Sequence, residues 1–113
     1  MKYQGIIVEE SLKDNRLLNE IEILSVRISS ADAIEDRWHI YKVLVSKDEI
    51  EKIANELKTE LWYMHFWHND DVIAVFPKRF FEFKHSDSAS WQEAIDYGKS
   101  LGIPESQLDF IIE

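Results

Sequence analysis

The side chains best suited to acid–base or metal chemistry in this sequence are four histidines, His39, His65, His68 and His85, set among 22 acidic residues. A metal site needs two or more such ligands converging on one point. His65 and His68 look like a pair, but three residues apart on a strand they point to opposite faces. His68 with Asp70 or Asp71 is geometrically easier, yet Asn69-Asp70-Asp71 reads first as a turn. No metal or cofactor is therefore assigned. For proton transfer the candidate pair is His65 with Glu82, in which a carboxylate would orient and polarise an imidazole. An activated nucleophile is missing. The chain has no cysteine, and Ser86-Asp87-Ser88-Ala89-Ser90 is a loop leading into a helix cap. Three glycines, none in a G-x-G-x-x-G or phosphate-loop arrangement, exclude nucleotide binding through those frameworks.

These residues must be positioned by strands. Tyr3 to Glu9 is rich in β-formers, with Gly5 marking a bulge or a close approach. Ser11 and Asp14 can cap a short helical turn through Leu17 and Leu18. From Ile21 to Ile28, Leu24, Val26 and Ile28 alternate with Ser25 and Arg27, the period of a half-buried strand. Ser29 to Asp36 is a polar loop, and Arg37 to Val45 is a third strand covered on both faces. Ser46-Lys47-Asp48-Glu49 is a capping box, and Ile50, Ile53, Ala54 and Leu57 follow at helical spacing. Glu60 to His68, Val72 to Phe76 and Arg79 to Lys84 form a three-strand meander, with Asn69-Asp70-Asp71 and Pro77-Lys78 as its turns. The second helix is expected to open on a capping box at Ser90 and Glu93. It ends on Leu101-Gly102-Ile103-Pro104, where glycine fits a left-handed position and proline blocks continuation. Gly98 on its apolar stripe points to close approach to the sheet.

Pairing parity decides which residues share a surface. With a three-residue loop at 69–71, the even face carries Trp62, Met64, Phe66, Val72, Ala74 and Phe76, and it is the platform for both helices. Pairing Phe76 with Arg79 adds Phe81 and Phe83 to that platform, because the alternative register would bury Glu82 and Lys84. The other face then holds Tyr63, His65, Trp67, Ile73, Val75, Phe80 and Glu82. It is too apolar to stay bare, so the N-terminal strands, a second subunit or a ligand must cover it. Of the four tryptophans, Trp62 and Trp91 are expected to meet in the core.

The composition narrows the function classes. A net charge of −9 opposes a phosphate backbone, so nucleic acid is not an expected partner. The sequence shows no signal peptide and no run of about 20 apolar residues, which reads as a cytoplasmic chain without a membrane. Its 113 residues suit a single α+β domain over 1–113. Ile7 to Leu12, Trp62 to Phe66 and Tyr97 to Glu105, with Gln107, Asp109 and Phe110, resemble small prokaryotic proteins of unknown function. The resemblance covers most of the chain, implies a stand-alone bacterial or archaeal protein and transfers no site residue.

The expected architecture is thus an antiparallel, meander-rich sheet in the order β-β-β-α-β-β-β-α with both helices on one face. A ferredoxin-like βαββαβ core, closed by Phe110 to Ile112 as an edge strand, is the alternative. The expected function is a non-catalytic module that binds a second copy or another protein through Tyr63, His65, Trp67, Phe80 and Glu82. The alternative is a small-molecule sensor or enzyme using His65 and Glu82 in a pocket on that face.

Overall fold

The computed structural model describes residues 1–110 and Ile112, and its strands and helices follow the expected order. The elements are β1 (Lys2–Val8), β2 (Glu22–Ile28), β3 (His39–Ser46), α1 (Lys47–Asn55), β4 (Met64–His68), β5 (Asp71–Phe76), β6 (Arg79–Lys84) and α2 (Gln92–Ser100). The strands form one antiparallel sheet in the spatial order β2-β3-β1-β4-β5-β6. β3 and β4 both pair antiparallel with β1, so they run parallel to each other with β1 between them. Parallel strands cannot be joined by a tight hairpin, and α1 with the segment after it makes the crossover. The N-terminal strands therefore widen the sheet and do not fold over it, as one of the sequence-based alternatives had it.

The two helices lie on opposite faces of the sheet, not on a shared one. Ile50 and Ile53 of α1, with Leu57 after it, pack with Val43, Val45, Met64, Phe66, Ile73 and Val75 in one core cluster. Ala94 of α2 packs with Val72, Ala74, Phe76, Phe81 and Phe83 in the other, together with Ile103, Leu108 and Phe110. The register explains the split. His68 pairs with Asp71, leaving a two-residue loop in which Asn69 takes a left-handed φ of 53°. The expected loop was one residue longer, and a one-residue slip moves every side chain of a strand to the other face. Met64 and Phe66 consequently share a surface with Ile73 and Val75, whereas His65 and Trp67 join Ala74 and Val72. The next turn follows expectation: Phe76 pairs with Arg79, and Phe81 and Phe83 lie beside Ala74 and Val72. Lys78 behind Pro77 has φ 71°, the sign required at the third position of a type II turn.

Local signals for the helix ends are met in two of three cases. At α1 the Ser46 hydroxyl accepts from the Glu49 N–H at 3.2 Å, and the Ser46 N–H donates to the Glu49 carboxylate at 2.9 Å. Such a cap is worth about 1 kcal/mol. At the end of α2, the Ile103 N–H donates to the Gly98 carbonyl and the Gly102 N–H to the Lys99 carbonyl, both near 3 Å, with Gly102 at φ 92°. This is a Schellman ending, and Ile103 is buried as its hydrophobic contact. The expected box at Ser90 and Glu93 does not form. A 3₁₀ turn over Ser88–Trp91 precedes α2, and the Ser90 hydroxyl instead donates to the Asp87 and Lys84 carbonyls. Serine bonds as readily to a nearby loop carbonyl as to a helix N-terminus, and the 3₁₀ turn puts those carbonyls closest.

Two glycines allow close approaches in the core. A Cβ on Gly5 of β1 would sit 2.2 Å from the ring of its cross-strand partner Phe66, and one on Gly98 would meet Leu108 at 2.8 Å. Leu12 and Leu18, from the 3₁₀ turns Glu9–Ser11 and Asn15–Glu20 and their flanks, complete the α1-side core. Phe110 is fully buried on the α2 side with φ 45°, a conformation that opposes a strand there. Phe110 and Ile112 lie outside any strand, which disfavours the ferredoxin-like alternative. The middle residue of that expected strand, Ile111, is outside the described residues. Among the described residues no helix is long and apolar enough to cross a membrane.

Candidate functional site

The five residues singled out from the sequence do not share a surface. Tyr63, His65 and Trp67 stand on the α2 side, while Phe80 and Glu82 pair with Val75 and Ile73 and stand on the α1 side. The same two-residue turn causes this: Phe80 and Glu82 keep their expected relation to β5, and β4 alone is displaced. His65 and Glu82 accordingly do not form an acid–base pair. Glu82 instead meets Lys47 Nζ at 3.1 Å on the exposed surface near the start of α1. Phe80 is 44% exposed.

On the α2 side, alternation along β4 lines up three rings. His65 stacks on Trp67 with centroids 5.3 Å apart and on Tyr63 at 6.3 Å, and Phe110 meets His65 edge-on at 6.1 Å. His65 is buried at 9% exposure, and Ser11 is the other buried polar residue among the described residues. Edge-to-face and offset contacts of this kind add about 0.5–1.5 kcal/mol per pair beyond area burial. Tyr63 packs on Phe76 and Phe110, and its hydroxyl donates to the Gln107 carbonyl. Burial, reinforced by the Asp109 carboxylate, pushes the Tyr63 phenol well above its ordinary value, so it stays protonated as that donor. Trp67 is a core residue at 3% exposure. Trp62 and Trp91 do not meet, because they belong to opposite sides of the sheet. Trp62 contacts Trp38 at 5.1 Å, and Trp91 contacts Phe83, His85 and Phe110.

Tyr63, His65, Trp38 and Trp62 border a groove of about 370 Å³ at the end of β1 and the start of β4. Ile6 and Val8 of β1 and Tyr63 and His65 around the start of β4 line it, with Trp62 beside Trp38, and the exposed residues Trp38, Leu61, Ser106, Gln107 and Asp109 stand at its rim. Neither the pairing of Ile6 with His65 nor the return of residues 106–109 to this spot has a local signal in the sequence. His68 is on the α1 side, where Nδ1 sits 2.9 Å from the Lys2 carbonyl. Among the described residues no three His, Asp or Glu side chains converge as metal ligands.

A second feature was not anticipated. All seven residues of β2 are exposed, and β2 ends the sheet. Leu24 is the extra residue of a bulge between the pairs Ile23–Val43 and Ser25–Lys42, so Val26 and Ile28 keep their common face without it. Ile23, Leu24, Val26 and Ile28 are 38–52% exposed, and Ile34 in the following loop is 76% exposed. These make up five of the nine exposed large hydrophobic residues described. Near this hairpin His39 pairs with Glu10, Nδ1 to Oε2 2.8 Å. The hydrogen bond to Glu10 raises the imidazole. Partial burial works the other way on Glu10, but the two hydrogen bonds from His39 outweigh it and hold that carboxyl below its ordinary value.

No protein-family model, no curated protein and no solved structure matches the chain.

Proposed function

We propose that the protein is a non-catalytic interaction module that self-associates along the free edge of β2. The observation that carries this reading is the concentration of exposed apolar side chains, Ile23, Leu24, Val26, Ile28 and Ile34, on one edge strand and the loop after it. An edge strand offers a row of backbone donors and acceptors, and apolar side chains beside it make pairing with another strand favourable. Two copies related by a twofold axis would bring β2 against β2 antiparallel, the self-complementary contact of a closed dimer.

The opposite edge supports the choice. β6 carries Arg79, Glu82 and Lys84 outward, and at Lys84 its backbone is engaged by the Ser90 hydroxyl and by Trp91 Nε1, which donates at 2.9 Å. Charges and a covering turn are how natural sheets blunt an edge; β2 carries Glu22, Arg27 and a bulge, but these stand among four exposed apolar side chains.

Sedimentation velocity over a concentration series tests the reading. The wild type is expected to shift from monomer to dimer with concentration, and Val26→Lys to stay monomeric with an unchanged circular dichroism spectrum. A wild type that sediments as a monomer at every concentration overturns the proposal.

A further inference from the structure

We propose that the groove between Trp38, Trp62 and Asp109 binds a small organic cation with a flat apolar body. This inference is independent of the β2 edge. Its volume of about 370 Å³ falls within the range of small-molecule sites, roughly 300–1,000 Å³. Its lining combines apolar side chains such as Ile6 and Val8 with a few polar groups, from Tyr63, His65 and the 106–109 segment, the combination that orients a ligand with a charged head and an apolar body.

The sign of the charge follows from the lining. Asp109 is the carboxylate on the rim, and neither lysine nor arginine is among the described lining residues. Arg37 precedes Trp38 in the chain but turns its guanidinium toward the loop, donating to the Ala31 and Asp32 carbonyls at 2.8 and 3.0 Å. The chain as a whole carries −9, so its field attracts cations and repels anions at this mouth.

The indoles supply the second element. Trp38 and Trp62 meet edge to face at 5.1 Å with planes inclined by 61°, so they form a corner and present surfaces in two directions. A cation within about 6 Å of such a ring is attracted by its quadrupole. Trp38 is 40% and Leu61 58% exposed, a large apolar rim around a site with a carboxylate beside it. The rim segment is held in place: Tyr63 donates to the Gln107 carbonyl, and Leu108 is buried against Gly98 between the rim residues Gln107 and Asp109. A preformed wall of this kind lowers the ordering cost of binding.

A series with one aromatic body and three charges tests the proposal: tryptamine, tryptophol and indole-3-acetate, titrated by calorimetry and by the indole N–H resonances. Tryptamine is expected to bind at least tenfold more tightly than tryptophol, with no detectable binding of indole-3-acetate. Asp109→Asn should bring tryptamine down to the level of tryptophol, and Trp38→Leu should weaken both at least tenfold. Both positions are exposed, and an unchanged circular dichroism spectrum shows that the variants fold. Equal affinity for the three probes, or no binding of tryptamine to the wild type at millimolar concentration, overturns the inference.

Discussion

Strands β2 and β4 have similarly apolar sequences and opposite fates. Glu-Ile-Leu-Ser-Val-Arg-Ile in β2 is exposed at every position, whereas Met-His-Phe-Trp-His in β4 is buried at four of five. The difference is one of place. β4 lies between β1 and β5, with the α1-side core under Met64 and Phe66 and the α2-side core over His65 and Trp67. β2 has a neighbour on one side only. An apolar side chain contributes to stability by the water-accessible area that it loses, and β2 loses little within one copy of the chain. The same residues then become available to a second copy.

The sharpest way to test this contrast is to change one side chain in each strand. Phe66→Ala in β4 removes a fully buried ring and is expected to cost about 3–5 kcal/mol, read as a fall in the urea midpoint. Val26→Lys in β2 should change the stability of the monomer by no more than about 0.5 kcal/mol while removing self-association. A cost for Val26→Lys near that of Phe66→Ala, measured at concentrations where the protein is monomeric, would show that β2 is covered in solution.

A second test lies at the junction of β4 with β1. Gly5→Ala sets a methyl group into the Phe66 ring and should cost about 1–3 kcal/mol as overpacking. The cost is expected to shrink in a Phe66→Leu background, because residues in direct contact are not additive. Equal costs in the two backgrounds would mean that the ring moves aside without penalty.

The smallest effect belongs to the hairpin that carries β2. His39 has its folded value raised above 6.5, so its pairing with Glu10 stabilises the fold at lower pH and the gain is lost as pH rises through the raised value. Glu10 is held below its ordinary 4.5, so its share is present above that value and lost as pH falls through the lowered one. The melting temperature should therefore show a shallow maximum between the two, and His39→Gln should flatten its alkaline side. Both groups are close to solvent, and added salt should weaken the effect further.

What could be read from the residues alone was local. The element order, the Ser46 capping box, the Gly102 ending and the pairing of Phe76 with Arg79 all depend on a few neighbouring side chains, and each was legible. The close approaches at Gly5 and Gly98 were legible too, as glycines in places that disfavour them. Tertiary structure alone decided that Asn69 and Asp70 form a two-residue loop, and with it that His65 and Glu82 face opposite ways. Alternation has a period of two within any strand, but nothing in that period states its phase relative to the next strand. It also decided that α1 and α2 cover different faces, since the crossover past β1 is a property of the whole sheet. Ser106, Gln107 and Asp109 reach the groove by the same long-range route, which no local pattern in the sequence announces.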